Sequence, residues 1–202
     1  PGVLRLGSAE STFSGVLRVE EGVVAVSSVD FAGSPSAMGG GGGLFDADRI
    51  VLNGGGLRFD LPVPRITDRS FTLGAGPNAG ALIATGSNRE ATITLGQSFP
   101  DFFYVTPAVA FEGAGDRTLT LAGYNAGYNS FNVALGDKST SEKTSLMKIG
   151  AGIWEVSGQN AFPGLTTVQE GTLAVSRDGA LGVNVPLTGT TANSGLDSFA
   201  GS

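Results

Sequence analysis

The chain has 202 residues, 33 of them glycine, with 15% charged residues and a formal net charge of −6, so it lacks the basic stripe that nucleic-acid phosphates demand. Its 41% hydrophobic content argues against disorder, and glycine without a three-residue period argues against collagen. Histidine and cysteine are both absent, which removes Ser-His-Asp and Cys-His catalysis and most zinc sites, and no apolar run is long enough to cross a membrane as a helix.

Residues 3–6 and 15–26 alternate apolar with polar, the pattern of half-buried strands, with Gly22 as the turn between Val16–Val19 and Val23–Val26. Asp30 to Gly43 reads as a loop, Gly33-Ser-Pro-Ser followed by consecutive glycines from Gly39. A phosphate-cradling loop would carry GxxxxGK[ST] and a following helix, but Leu44-Phe45-Asp46-Ala47-Asp48 stand there instead. Arg49 to Asp60 gives two short strands about a glycine turn, and Pro62 and Pro64 are expected to interrupt the ladder. Strands resume at Ser70–Leu73, Gly80–Ala84 and Ala91–Leu95.

Residues 99–111 are the most aromatic stretch, expected either inside the stack or as a patch that meets a neighbouring subunit. Pro100 and Pro107 speak against a regular central strand there. Arg117–Ala122 and Asn129–Leu135 are clean alternating strands, and Asp137 to Lys143 is a polar loop. From Leu146 to Leu181 the alternating runs are short and each is closed by glycine, the signature of strands joined by tight turns. Val183–Leu187 predicts one more strand, and the small, polar tail 188–202 is expected to gain order from a partner. No stretch sustains helical apolar spacing without a glycine or proline inside it.

Leu146, Lys148, Gly150, Gly152 and Trp154, then Ser157-Gly158-Gln159-Asn160, Phe162, Gly164, Thr166-Thr167-Val168, Gly171-Thr172-Leu173 and Val175, follow a familiar order. The segment resembles the autotransporter-associated β-strand repeat, also called the passenger-associated transport repeat, of bacterial surface and secreted proteins. That resemblance implies an all-β fold, a right-handed parallel β-helix or β-solenoid. A worn copy opens the chain: Gly2, Leu4 and Leu6 line up with Gly152, Trp154 and Val156, and Phe13, Gly22, Val24 and Val26 with Phe162, Gly171, Leu173 and Val175. Ala37-Met38-Gly39 then answers Ala180-Leu181-Gly182. One solenoid domain over 1–202 is expected, with excursions at about 30–48 and 96–116. At roughly 20–25 residues per coil it would hold about eight or nine coils and measure about 40 Å. Absent cysteine says nothing about compartment, because each coil buries the face of the next.

Carboxylates are the remaining route to chemistry. Asp46, Asp48 and Arg49 lie close in sequence, as do Asp60, Arg65 and Asp68, but a glycosidase needs two carboxyls at a fixed separation across a groove. No calcium-loop pattern surrounds Asp46 and Asp48. Asn53 and Asn160, beside glycines, are expected to bond turn backbone. No catalytic, cofactor or metal residue is therefore expected.

The favoured expectation is a structural subunit of an extracellular fibre or surface array that assembles end to end through open solenoid edges. Leu4, Leu6, Val185, Leu187, Leu196 and Phe199 would then carry self-association. The alternative is an adhesin or autotransporter passenger shaft presenting binding loops, and a remote third is a polysaccharide-cleaving β-helix enzyme. The expected partners are copies of the chain or a continuing solenoid, and a surface glycan in the adhesive reading. The expected place is the bacterial surface or the medium, with a leader removed or a longer protein processed before Pro1.

Overall fold

The computed structural model describes residues 2–41, 47–97 and 107–182, and the backbone of 187–189. Strands β1 (Val3–Leu6), β3 (Val23–Val26), β5 (Gly56–Phe59), β8 (Gly76–Ala84), β11 (Arg117–Gly123), β13 (Thr144–Lys148), β15 (Thr166–Val168) and β17 (Leu187–Gly189) form one sheet in that order. A second sheet holds β2 (Leu17–Val19), β4 (Ile50–Leu52), β7 (Thr72–Leu73) and β10 (Ala110–Phe111). The third holds β6 (Arg65–Thr67), β9 (Ile93–Leu95), β12 (Tyr128–Phe131), β14 (Ile153–Val156) and β16 (Thr172–Val175). Every pairing between these strands is parallel.

Parallel neighbours cannot be joined by a hairpin, so each crossover must travel round the molecule. From β5 the chain passes to β6 in the third sheet, β7 in the second and β8 back in the first. The circuits from β5 to β8 and from β8 to β11 lay one strand on each of three faces, while those before β5 use the first and second sheets and those after β11 the first and third; together they make a parallel β-solenoid with three sides. A 3₁₀ turn at Ala47–Arg49 is the one helical element among the described residues, and none of their helices is long and apolar enough to cross a membrane.

Period-2 alternation puts every second residue inside, and parallel register then stacks like on like. Leu4, Val24, Leu57, Leu82 and Leu121 form one column across the first sheet. Val19, Leu52, Leu73 and Phe111 form another in the second. In the third sheet Ile93, Asn129, Trp154 and Leu173 run beside Leu95, Phe131, Val156 and Val175. The middle of each column is sealed: Leu57, Leu82, Leu52, Phe131 and Val156 are each 2% exposed or less. Each such side chain stabilises the stack by about 1.5–3 kcal/mol.

The two sequence copies make the same local turn at different corners. Gly39 holds φ of 80° over the carbonyl of Phe13, and Gly182 holds φ of 78° over that of Phe162. A side chain at either would strike that carbonyl, so glycine is required twice for one reason. Yet β1 and β3 belong to the first sheet, whereas their counterparts β14 and β16 belong to the third. The alignment of Leu4 with Trp154 is thus correct for the wrap and wrong for the face. Coils of unequal length between the copies have rotated one against the other.

Four further expectations are corrected. Pro62 and Pro64 lie exposed in a break between β5 and β6, but strand resumes at Arg65 and not at Ser70. The strand expected over 129–135 ends at Phe131, although Val133 and Leu135 stay buried and Ala134 bridges Ala108. Residues 96–116 are not wholly an excursion, since Ala110 and Phe111 pair with Thr72 and Leu73 as a rung of the second sheet. The final strand expected at Val183–Leu187 occupies Leu187–Gly189, and 183–186 lie outside the described residues. In the tail 188–202, Thr188 and Gly189 join β17 and the rest is likewise outside.

Candidate functional site

Three cations lie inside the stack, each with its head on turn carbonyls. Arg69, 6% exposed, donates from Nε to the carbonyl of Asp30 and from its terminal nitrogens to those of Phe31, Ser34, Gly39 and Gly41. It therefore pins residues 30–41, the first expected excursion, to the body. Burial holds its pKa below the ordinary arginine value. Arg117, 1% exposed, reaches the carbonyls of Leu73, Gly74, Glu112 and Gly115, with its guanidinium 5.1 Å from the Phe111 ring centre. That contact explains the residues at the end of the aromatic stretch: Phe111 is partly buried beneath a cation.

Lys148 stands in the core column between Leu121 and Val168 and is wholly buried. Its Nζ donates to the carbonyls of Ile149 and Gly150 in its own turn and of Glu170 in the next coil, at 2.9, 2.5 and 3.1 Å. Burial lowers its pKa from 10.5 to about 8. Unfolded Lys148 keeps its proton between those values while the folded one releases it, so unfolding free energy should rise from pH 8 towards 10.5. Each unit of that depression is worth about 1.4 kcal/mol. Denaturation of wild type and Lys148→Met across this range should show the rise as a difference between the two; parallel curves would refute it.

Asparagines tie neighbouring coils. Asn160 Oδ1 accepts from the Leu135 amide at 2.8 Å while its Nδ2 donates to the Ala180 carbonyl, as expected of a residue bonding turn backbone. Asn129 Oδ1 accepts from the Ile93 amide, and its Nδ2 donates to the carbonyls of Gly127 and Ile153. Asn125 Nδ2 donates to the Asn88 carbonyl at 2.8 Å, and its Oδ1 accepts from the Gly127 amide at 2.8 Å. Between these asparagine turns the chain alternates outward Tyr124, Ala126 and Tyr128 with inward Asn125, Gly127 and Asn129. Tyr124 is 69% and Tyr128 61% exposed, the two most exposed large hydrophobic residues among those described.

The acidic residues serve backbone and surface pairs. Asp60 bonds Arg58 at 2.7 Å and Arg5 at 2.8 Å. Burial pushes its carboxyl up, but hydrogen bonds from Arg58 and Thr85 outweigh that and hold it below the usual range. Asp68 accepts from the Ala32 amide at 2.7 Å. Strand β6, which includes Arg65, separates Asp60 from Asp68, and the two carboxylates share no hydrogen-bond partner. Asp48 and Arg49 lie in the 3₁₀ turn, and Asp46 lies outside the described residues. Among the described residues no group of three or more acids could hold a metal ion. On the second sheet Arg18 spans to Glu112 at 2.6 Å and Glu20 at 2.8 Å, and the hydrogen bonds it donates to both carboxylates raise its pKa.

Of the expected self-association residues, Leu4 is 55% exposed on β1 and Leu6 is half-buried beside it. Leu187 opens β17, while Val185, Leu196 and Phe199 lie outside the described residues, as do 98–106. The sequence reading missed Arg69, Arg117 and the tyrosine corner. A charged residue within an alternating run at a core-facing parity, as at Lys148 and Arg117, was the available signal.

Three parallel faces, columns of stacked aliphatic residues and glycine corners define the class as a β-solenoid. Residues 146–175, from within β13 to the end of β16, match the passenger-associated-transport-repeat family, so the chain belongs with the proteins that carry this repeat. Over 139 residues it is 30% identical to the adhesin BmaC autotransporter of Brucella suis biovar 1 (strain 1330). That match covers 66% of this chain and 4% of the relative, so the chain spans a small part of the curated protein it resembles. No solved structure matches it significantly.

Proposed function

We propose that this chain is a stretch of the shaft of an autotransporter passenger at the bacterial surface, serving adhesion and not catalysis. One observation carries the reading: an uninterrupted eight-stranded parallel sheet of stacked coils, with the repeat-matching segment 146–175 built into it. Coils stacked in this way extend along one axis, which suits a shaft. The match to an adhesin autotransporter far longer than this chain supports the passenger reading over the fibre subunit that the sequence favoured.

The test is display of the chain on a non-adherent bacterium, with binding to host cells counted against the empty display system. Adhesion above that background is the expected result, and adhesion equal to it would refute the reading. Electron microscopy of the purified chain addresses the other possibility. Discrete particles at high concentration fit a shaft segment, whereas filaments that lengthen with concentration would restore the fibre subunit.

A further inference from the structure

We propose that the core seam across β11, β13 and β15 holds a short file of buried water, which begins on the Arg117 Nε–H, passes the Thr144 hydroxyl and ends on the Thr166 hydroxyl. Among the described residues four buried side-chain polar atoms have no protein partner, and these are three of them. Arg117, Thr144 and Thr166 are each 1% exposed or less. The fourth, Arg65 Nε, stands apart on the third sheet.

Register brings the three together. Arg117 pairs with Thr144 across neighbouring parallel strands, so their Cα atoms lie about 4.8 Å apart. The Arg117 amide holds that register by donating to the Lys143 carbonyl at 2.9 Å. Thr166 pairs with Leu146, one strand and two residues on, about 8 Å from Thr144. Alternation turns all three side chains into the core, in step with buried Leu119 and Leu146.

What is left over is polar. The Thr144 amide donates to Asp137 and its carbonyl accepts from the Gly164 amide at 3.0 Å, which leaves the hydroxyl. The terminal nitrogens of Arg117 are spent on the carbonyls of Leu73, Gly74, Glu112 and Gly115, which leaves Nε–H. Buried threonines elsewhere use protein where it is within reach: Thr67 donates to the Asp30 carbonyl and Thr72 to that of Ala47. The hydroxyls at 144 and 166 need another partner.

The chemistry of the three groups selects water. A guanidinium N–H only donates, whereas each hydroxyl donates and accepts, so the occupant must accept at one end and do both further along. A metal cation accepts no hydrogen bond and would face a guanidinium. An anion would meet the carbonyl lone pairs that already converge on Arg117. One water spans partners up to about 5.6 Å apart, two hydrogen bonds end to end, which bridges one rung, and a second water reaches Thr166.

In the purified chain, Thr144→Val and Thr166→Val keep side-chain shape and remove the hydroxyl. Each should lower the thermal midpoint by about 2–4 °C, because a bonded hydroxyl is lost and its water is stranded. An unchanged or raised midpoint in both variants would overturn the proposal, since deleting an unpartnered buried hydroxyl relieves the fold. Nuclear Overhauser transfer from long-lived water to the methyl groups of Thr144 and Thr166 is expected in the wild type, and transfer to Thr166 should weaken in Thr144→Val. No transfer at either methyl would overturn the file. Exchanging chloride for gluconate should leave the midpoint unmoved. Stabilisation by chloride that Thr144→Val abolishes would make the occupant an anion and sink the proposal.

Discussion

Replacing Trp154 with alanine should destabilise the solenoid by about 3–5 kcal/mol, measured as the shift in chemical denaturation. Trp154 is 1% exposed and stands between Asn129 and Leu173 in the third-sheet column. Its indole N–H donates to the Ala122 carbonyl at 2.8 Å. Truncation opens a cavity and takes the donor from a carbonyl of the first sheet, so two losses add. Collapse onto the gap is restrained, because strand spacing is fixed at about 4.8 Å by the ladder bonds. Trp154→Phe separates the terms: it keeps most of the volume and gives up the hydrogen bond, for about 1–2 kcal/mol. A loss below about 1 kcal/mol for the alanine variant would mean that the column is not packed as described.

Arg69→Ala should cost about 3 kcal/mol and release residues 30–41, since five carbonyls lose a shared donor. The effect should be local. Hydrogen exchange should speed at the amides of Ala37, Gly39 and Gly41, which bond Ser28, Ser36 and Phe13, while β5 and β8 keep their protection. Arg69→Lys should rescue little, because one ammonium offers three donors from a point and the carbonyls surround a fork. Full protection of these amides in the alanine variant would show that the loop holds itself.

Much of this fold was legible because alternation and glycine-closed runs are local. Val23–Val26, Arg117–Gly123 and Ile153–Val156 declare themselves within four to seven residues, with no need to know their partners. What could not be read is whatever depends on the partner one coil away. Val3 lies beside Val23, but Val23 lies beside Gly56, so the spacing between rungs changes along the chain. An alignment of the two copies cannot sense that drift, and it therefore found the turn while missing the face. The strand after Pro64 was hidden for a related reason: a short rung in the third sheet gains its identity from Ile93–Leu95, not from its own residues.

The site followed the same division. Asn160 beside Gly158 suggested a backbone-bonding role from neighbouring residues alone, and its bonds to Leu135 and Ala180 fulfil it. Arg69 looks like any surface charge until the loop from Asp30 folds over it. The tyrosines gave no signal because Tyr124 and Tyr128 flank a corner, and outward parity there is set by which asparagines turn inward.

Spin-label distances from a single origin test the stacked solenoid most directly, and the absence of cysteine makes labelling simple. Val3, Ala81, Met147 and Thr167 occupy one outward row of the first sheet, on β1, β8, β13 and β15. With Val3→Cys paired in turn with Ala81→Cys, Met147→Cys and Thr167→Cys, the separations should be about 14, 24 and 29 Å, one strand spacing per rung. Distances that fail to lengthen in that order would contradict coils piled along one axis.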